Sequence, residues 1–285
     1  MGRLGLALGD RVRIETRLHY HEGMPIPERL NPTFARGGES MTRIDSIEEA
    51  RKRLIVALDY PNAAAAFDLV DRLESQCVWF KVGLELFVAA GPSLVEQLVE
   101  RGCSIFLDLK FNDIPNTVAG AVKSGTALGA RLMTVHASGG PAMLAAAQTA
   151  LEGLADAPQL LAVTVLTSMD QSQVAAVGVE RTPAAQVELL ARMGLGAGIN
   201  GFVCSPQEVA ALRALAGPDA VLVIPGIRPA GGEAGDQKRV ATPADALRHG
   251  ASYLVVGRPI TQAPEPAAAA AGILAEMAAA LPVRE

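Results

Sequence analysis

The chain has 285 residues, a formal net charge of −5, and a composition that is 50% hydrophobic but only 4% aromatic. An acidic chain with scattered charges offers no electrostatic footprint for nucleic acid or an anionic membrane. No apolar run reaches the roughly 18 residues of a membrane span, and there is enough Ala, Val, Leu and Ile for a large core.

Residues 1–40 read apart from the rest. They carry charges, prolines and a Gly pair in HEGMPIPERLNPTFARGGES, with no sustained period. No apolar h-region marks a secretory signal, and Asp10, Glu15, Glu22, Glu28 and Glu39 argue against a transit peptide. This extension is expected to be disordered and dispensable. Residues 41–285 are expected to form a single domain.

From Arg53 onward, short apolar runs alternate with helical patterns. The runs are LIVALD (54–59), VWFKVG (78–83), SIFLDLK (104–110), RLMTVHA (131–137), LLAVTVL (160–166), GFVCS (201–205), AVLVIPG (220–226) and SYLVVG (252–257). They are nearly continuously apolar, as strands covered on both faces should be. Ala/Leu/Glu-rich stretches follow at 63–75, 85–101, 115–129, 141–155, 182–193, 206–216 and 242–249, and 264–281 closes the chain. Pro183, Pro206, Pro243 and Pro266 stand near helix starts, where a missing N–H costs little. Eight such units predict a (β/α)8 TIM barrel. A doubly wound sheet would usually show a Gly-rich turn after its first strand, and LDYPNAA stands there instead.

Barrel chemistry gathers where strands end. Asp59 follows the first run and Lys81 falls late in the second. The third ends in DLKFNDIPNT, which holds Asp108, Lys110 and Asp113. Asp108 and Lys110 are two apart, so a regular strand aims both into the barrel. The structural alternative is a buried ion-pair network, a poor choice for stability alone. A lysine flanked by carboxylates stays protonated and is a proton donor rather than a Schiff-base nucleophile. The residues alone leave two chemistries open. One is decarboxylation followed by proton delivery to carbon; the other is an aldol or isomerase step on a phosphosugar.

After the seventh strand comes PGIRPAGGEAGDQKRVATP (225–243), and after the eighth GRPIT (257–261). These loops commonly bind phosphate in barrels. Gly257 can bring its backbone N–H to an anion and Arg258 can fork onto phosphate oxygens, with Arg228 and Gln237 as further candidates. The long Gly-rich stretch at 226–240 suits a closing lid. His136, ending the fourth strand, reads as a structural hydrogen-bonding residue before a pocket one. Thr167 and Ser168 follow the fifth strand, where they could read an amide-like ring edge or serve a turn. GAGING (196–201) matches G-x-G-x-x-G but precedes a strand, against a dinucleotide site. Cys77, Cys103 and Cys204 read as reduced thiols of a cytoplasmic protein. No Cys/His group has zinc spacing, and no metal or organic cofactor is expected.

The blocks LDYPN, FKVGLELF, FLDLKFNDIPNTV, TVHASGG, VLTSM, PGIRP, EAGDQKR and VVGRPI run in order over about residues 54–262. There the sequence resembles orotidine 5′-phosphate decarboxylase of the bacterial type, with D-L-K-F-x-D-I-P-N-T the most specific block. The resemblance implies a cofactor-independent decarboxylase that converts orotidine 5′-monophosphate to UMP. Lys110 is implied as proton donor to the ring carbon that loses CO₂, and Asp108 as the carboxylate pressing on the substrate carboxylate. Lys81 and Asp113 complete the charge array at the ribose, and Asp59 binds a ribose hydroxyl. Thr167 contacts the pyrimidine; Arg228, Gln237, Gly257 and Arg258 serve the phosphate and lid. The resemblance also implies a homodimer with shared active sites, Asp113 and Thr117 reaching into the neighbour's pocket. The nearest rival is a related D-x-K-x-x-D barrel acting on a sugar phosphate with Mg²⁺, such as a keto-gulonate-phosphate decarboxylase or hexulose-phosphate synthase.

Overall fold

Eight parallel strands close into a barrel in chain order, with the last pairing the first. They are β1 (Leu54–Ala57), β2 (Trp79–Gly83), β3 (Ser104–Phe111), β4 (Leu132–His136), β5 (Gln159–Val163), β6 (Gly201–Val203), β7 (Val221–Ile224) and β8 (Tyr253–Val256). The computed structural model describes residues 43–73, 76–229 and 240–281. The extension at 1–40, expected to be disordered, lies outside the described residues. All eight expected strands are present, so the (β/α)8 barrel stands.

Alternation divides the core in two. One set of strand residues, among them Leu54, Val56, Phe80, Val82, Ile105 and Leu107, faces the surrounding helices. The other set fills the barrel: Ile55, Ala57, Trp79, Phe106, Leu132, Leu161, Val223, Tyr253 and Val255. Trp79 and Tyr253 meet edge to face, centroids 5.2 Å apart, which suits the ring quadrupoles. The interior is therefore a packed plug, not a pore.

Above the plug the inward face changes character. Two residues beyond Trp79 comes Lys81; beyond Phe106, Asp108; beyond Leu132, Thr134. Period-two geometry keeps each pair on one face, so polar groups stand directly on the apolar floor at the C-terminal mouth.

The helices depart from the sequence expectation in several places. The stretch 85–101 is two helices, Leu84–Ala90 and Pro92–Glu100, separated by Gly91 at φ 72, a left-handed turn that glycine adopts without steric cost. Short helices at Arg43–Arg51 and Gln171–Ala176 were not expected. The first packs against the closing helix Pro266–Ala280 and holds the Glu49–Arg53 ion pair at 2.7 Å. Gly201, last of the GAGING run, is a packing residue: a Cβ there would collide with the Leu160 carbonyl oxygen. No helix among the described residues is long and apolar enough to cross a membrane.

Candidate active site

Four of the expected charges meet at the barrel mouth in alternating order. Lys81 Nζ lies 2.9 Å from Asp59 Oδ1 and 3.8 Å from Asp108 Oδ2. Lys110 Nζ lies 2.9 Å from both Asp108 oxygens. Asp108 is nearly buried, whereas the Asp59 side chain is 58% exposed. Each lysine thus has a carboxylate beside it. Gly83 makes room for this array, since a Cβ there would stand 2.7 Å from Lys81 Nζ.

Asp108 and Lys110 converge, but not through plain strand alternation. Leu107 pairs with Met133, and the next pair is Phe111 with Val135: four positions along β3 against two along β4. The bulge puts Lys110 at φ 53, the only non-glycine with positive φ among the described residues. A left-handed residue with a Cβ costs about 1–2 kcal/mol. Bulges re-aim side chains beside active sites, and this one turns Lys110 back over Asp108. Thr134, fully buried on β4, sits beneath the bulge: Lys110 N–H donates to its Oγ1 at 2.8 Å, and its hydroxyl donates to Asp108 Oδ1 at 3.0 Å. The sequence reading missed Thr134. The signal was its parity, between inward Leu132 and His136 on one strand.

His136 ends β4 beside this group. Its Nδ1 is buried with no hydrogen-bond partner, so the structural hydrogen bond expected of it is not found at that atom. Burial and the Lys110 ammonium hold the imidazole below its ordinary range, against the pull of the Asp108 carboxylate.

Asp113 does not join the four charges. It is exposed in the loop after β3, where its Oδ1 accepts the Ile114 N–H at 2.6 Å. Thr117 is exposed in the first turn of the helix Pro115–Ala127. Exposed apolar side chains stand on the same rim: Leu84, directly after β2, is 55%, Val88 81% and Ile114 67% exposed. Thr167 is half-buried in the loop after β5.

On the same C-terminal mouth, Arg228 follows β7 and Arg258 follows β8. Burial lowers the Arg228 pKa, and the nearby Arg258 charge lowers it further. Two guanidiniums kept close in one protein are stabilised by an anion between them. The start of the intervening loop is pinned by Arg228 N–H donating to Ala241 O at 3.0 Å. Gly257 lies over β1: a Cβ there would be 3.8 Å from Asp59 Oδ2, ordinary contact. Tyr60 O–H donates to Thr261 O at 3.3 Å, joining the β1 and β8 loops. Gln237 lies outside the described residues. Among the described residues, no three His, Cys, Asp or Glu side chains are grouped to hold a metal ion.

Comparison with known proteins agrees with this fold. Residues 52–273 match the model of the orotidine 5′-phosphate decarboxylase / HUMPS family. An orotidine 5′-phosphate decarboxylase of Moorella thermoacetica is 53% identical over 234 residues, covering 80% of this chain and 93% of that protein. One from Alkalilimnicola ehrlichii is 53% identical over 230 residues, covering 81% and 98%. The crystal structure of orotidine 5′-phosphate decarboxylase from Lactobacillus acidophilus superposes with a TM-score of 0.70 at 39% identity, covering 79% of this chain and 98% of that one. With a family match over most of its length and relatives at this identity, the chain belongs to the orotidine 5′-phosphate decarboxylase / HUMPS family.

Proposed function

We propose that this protein decarboxylates orotidine 5′-monophosphate to UMP and CO₂ in pyrimidine biosynthesis, without a metal or organic cofactor. The observation that carries this is the Lys110 ammonium held 2.9 Å from both oxygens of Asp108 at the barrel mouth. Asp108 stands beside the substrate carboxylate and disfavours its charge. At an effective dielectric of ~20, unit charges 4 Å apart interact by about 4 kcal/mol. That repulsion disappears as CO₂ leaves, so it favours the transition state over the ground state. The C–CO₂ bond breaks, its electron pair stays on the ring carbon, and Lys110 delivers a proton there. No oxidant or reductant is needed. Lys110 then regains its proton from solvent.

Lys81 and Asp59 orient the ribose. Thr167 contacts the pyrimidine. Arg228, Gln237, Gly257 and Arg258 hold the phosphate, with the 226–240 stretch as lid. The active site is shared across a homodimer, Asp113 and Thr117 reaching the neighbour. The exposed apolar side chains of Leu84, Val88 and Ile114 on the same rim support that interface. The thiols Cys77, Cys103 and Cys204 support a cytoplasmic location.

The purified protein in EDTA is expected to consume orotidine monophosphate, followed as loss of its ultraviolet absorbance. No loss, or Mg²⁺-dependent turnover of a hexulose or keto-gulonate phosphate instead, would assign the chain to the sugar-phosphate branch.

Replacing Arg258 with Ala removes charge-assisted hydrogen bonds to the phosphate. Steady-state kinetics should show kcat/KM falling about 10–100-fold. Arg192, which pairs with Glu188 at 2.7 Å on the helix Pro183–Gly196, serves as the control. Arg192→Ala should leave kcat/KM unchanged.

A further inference from the structure

We propose that Thr134 is a positioning residue for the proton donor: its single hydroxyl fixes both the strained backbone of Lys110 and the carboxylate of Asp108. This rests on the decarboxylase reading for its kinetic consequence, but not for its geometry. The Lys110 amide can only donate and the Asp108 carboxylate can only accept. A hydroxyl satisfies both, accepting at 2.8 Å from the amide and donating at 3.0 Å to Oδ1. Thr134 is fully buried, so no water can take over from it without repacking.

The need for such a residue follows from the bulge. Between the pairs Leu107–Met133 and Phe111–Val135 the ladder between β3 and β4 is interrupted, which takes the Lys110 N–H out of its regular strand bonding. A left-handed lysine persists only where its surroundings over-determine it. The threonine hydroxyl supplies the missing acceptor at that position. Through its second bond it also orients Asp108, whose two oxygens both receive the Lys110 ammonium. Donor backbone, donor ammonium and neighbouring carboxylate therefore form one closed ring of hydrogen bonds. Loss of the hydroxyl leaves a buried N–H unpaired and lets the bulge relax, which moves Nζ. Displacement of a reacting group by about 1 Å costs on the order of 10²-fold in rate.

The test compares Thr134→Val, which keeps the shape without the hydroxyl, with Thr134→Ser, which keeps the hydroxyl without the methyl. For Thr134→Val, kcat should fall about 10–100-fold while KM and UMP affinity stay within about two-fold. Thr134→Ser should keep most of the rate. A crystal structure of Thr134→Val should show Lys110 out of the left-handed region or its Nζ withdrawn from Asp108. A valine variant with wild-type kcat overturns the proposal, as does a serine variant as impaired as valine, or a valine structure with Lys110 undisturbed. If the wild-type protein does not act on orotidine monophosphate, the decarboxylase reading falls, and the crystal structure alone decides the role of Thr134. If valine does not fold, the serine variant and its structure carry the decision, because serine retains both hydrogen bonds.

Discussion

Replacing Lys110 with Ala is expected to lower turnover of orotidine monophosphate by at least ~10⁴-fold while leaving the barrel folded. General acid–base catalysis alone contributes about 10²–10⁴-fold, and the loss of an ammonium facing a developing carbanion adds to it. Among the described residues, no other group stands ready to replace it. Lys81 Nζ is engaged by Asp59 at 2.9 Å and lies 3.8 Å from Asp108. The imidazole of His136 is held below its ordinary pKa, so it carries little acid at neutral pH. Folding should survive because the Lys110 side chain is 29% exposed and the apolar plug lies beneath it. UMP binding should also survive, since the residues proposed to hold ribose and phosphate are left in place. The measurements are stopped absorbance assays, thermal melting and UMP titration. A near-wild-type rate refutes the proton-donor role. A variant that melts cooperatively, binds UMP and does not turn over supports it.

Much of the fold was legible because a parallel barrel strand is covered on both faces and so reads as a continuous apolar run. The edges of the elements were less so. LIVALD extends to Asp59, yet β1 ends at Ala57, although Leu58 N–H still donates to Lys81 O at 2.9 Å. The helical period of 85–101 continues across Gly91, so periodicity could not show the break. The Arg43–Arg51 helix is polar, and its place depends on a distant partner, the closing helix. In the site, Asp59, Lys81, Asp108 and Lys110 were legible from their positions at strand ends. The bulge was not: alternation predicts the right convergence through the wrong backbone, because register shifts depend on pairing between β3 and β4. Thr134 was missed for the same reason. Its two partners are 24 and 26 residues away, and only the bulge brings them to one hydroxyl.

Mixing the Lys110→Ala and Asp113→Ala homodimers, each nearly inactive, is expected to restore about a quarter of wild-type activity after full subunit exchange. Within one chain, Asp113 turns its carboxylate to the Ile114 N–H and stays exposed, outside the Asp59–Lys81–Asp108–Lys110 array. On the proposed shared site, Asp113 acts in the neighbouring barrel and not in its own. Leu84, Val88 and Ile114 on the same rim offer the apolar surface for that contact. In an exchanged mixture about half the dimers are mixed. Each mixed dimer has one doubly defective site and one intact site, which combines Lys110 of the Asp113→Ala chain with Asp113 of the other. Differently tagged chains, co-purified through both tags, report the extent of exchange. Recovery that scales with the mixed-dimer fraction supports the shared site. Exchange without recovery places Asp113 outside the chemistry, and recovery without exchange means that the single variants were never inactive. A Leu84→Asp change on the same rim should abolish recovery by preventing association, because a charge buried at an apolar contact without a partner strongly disfavours it.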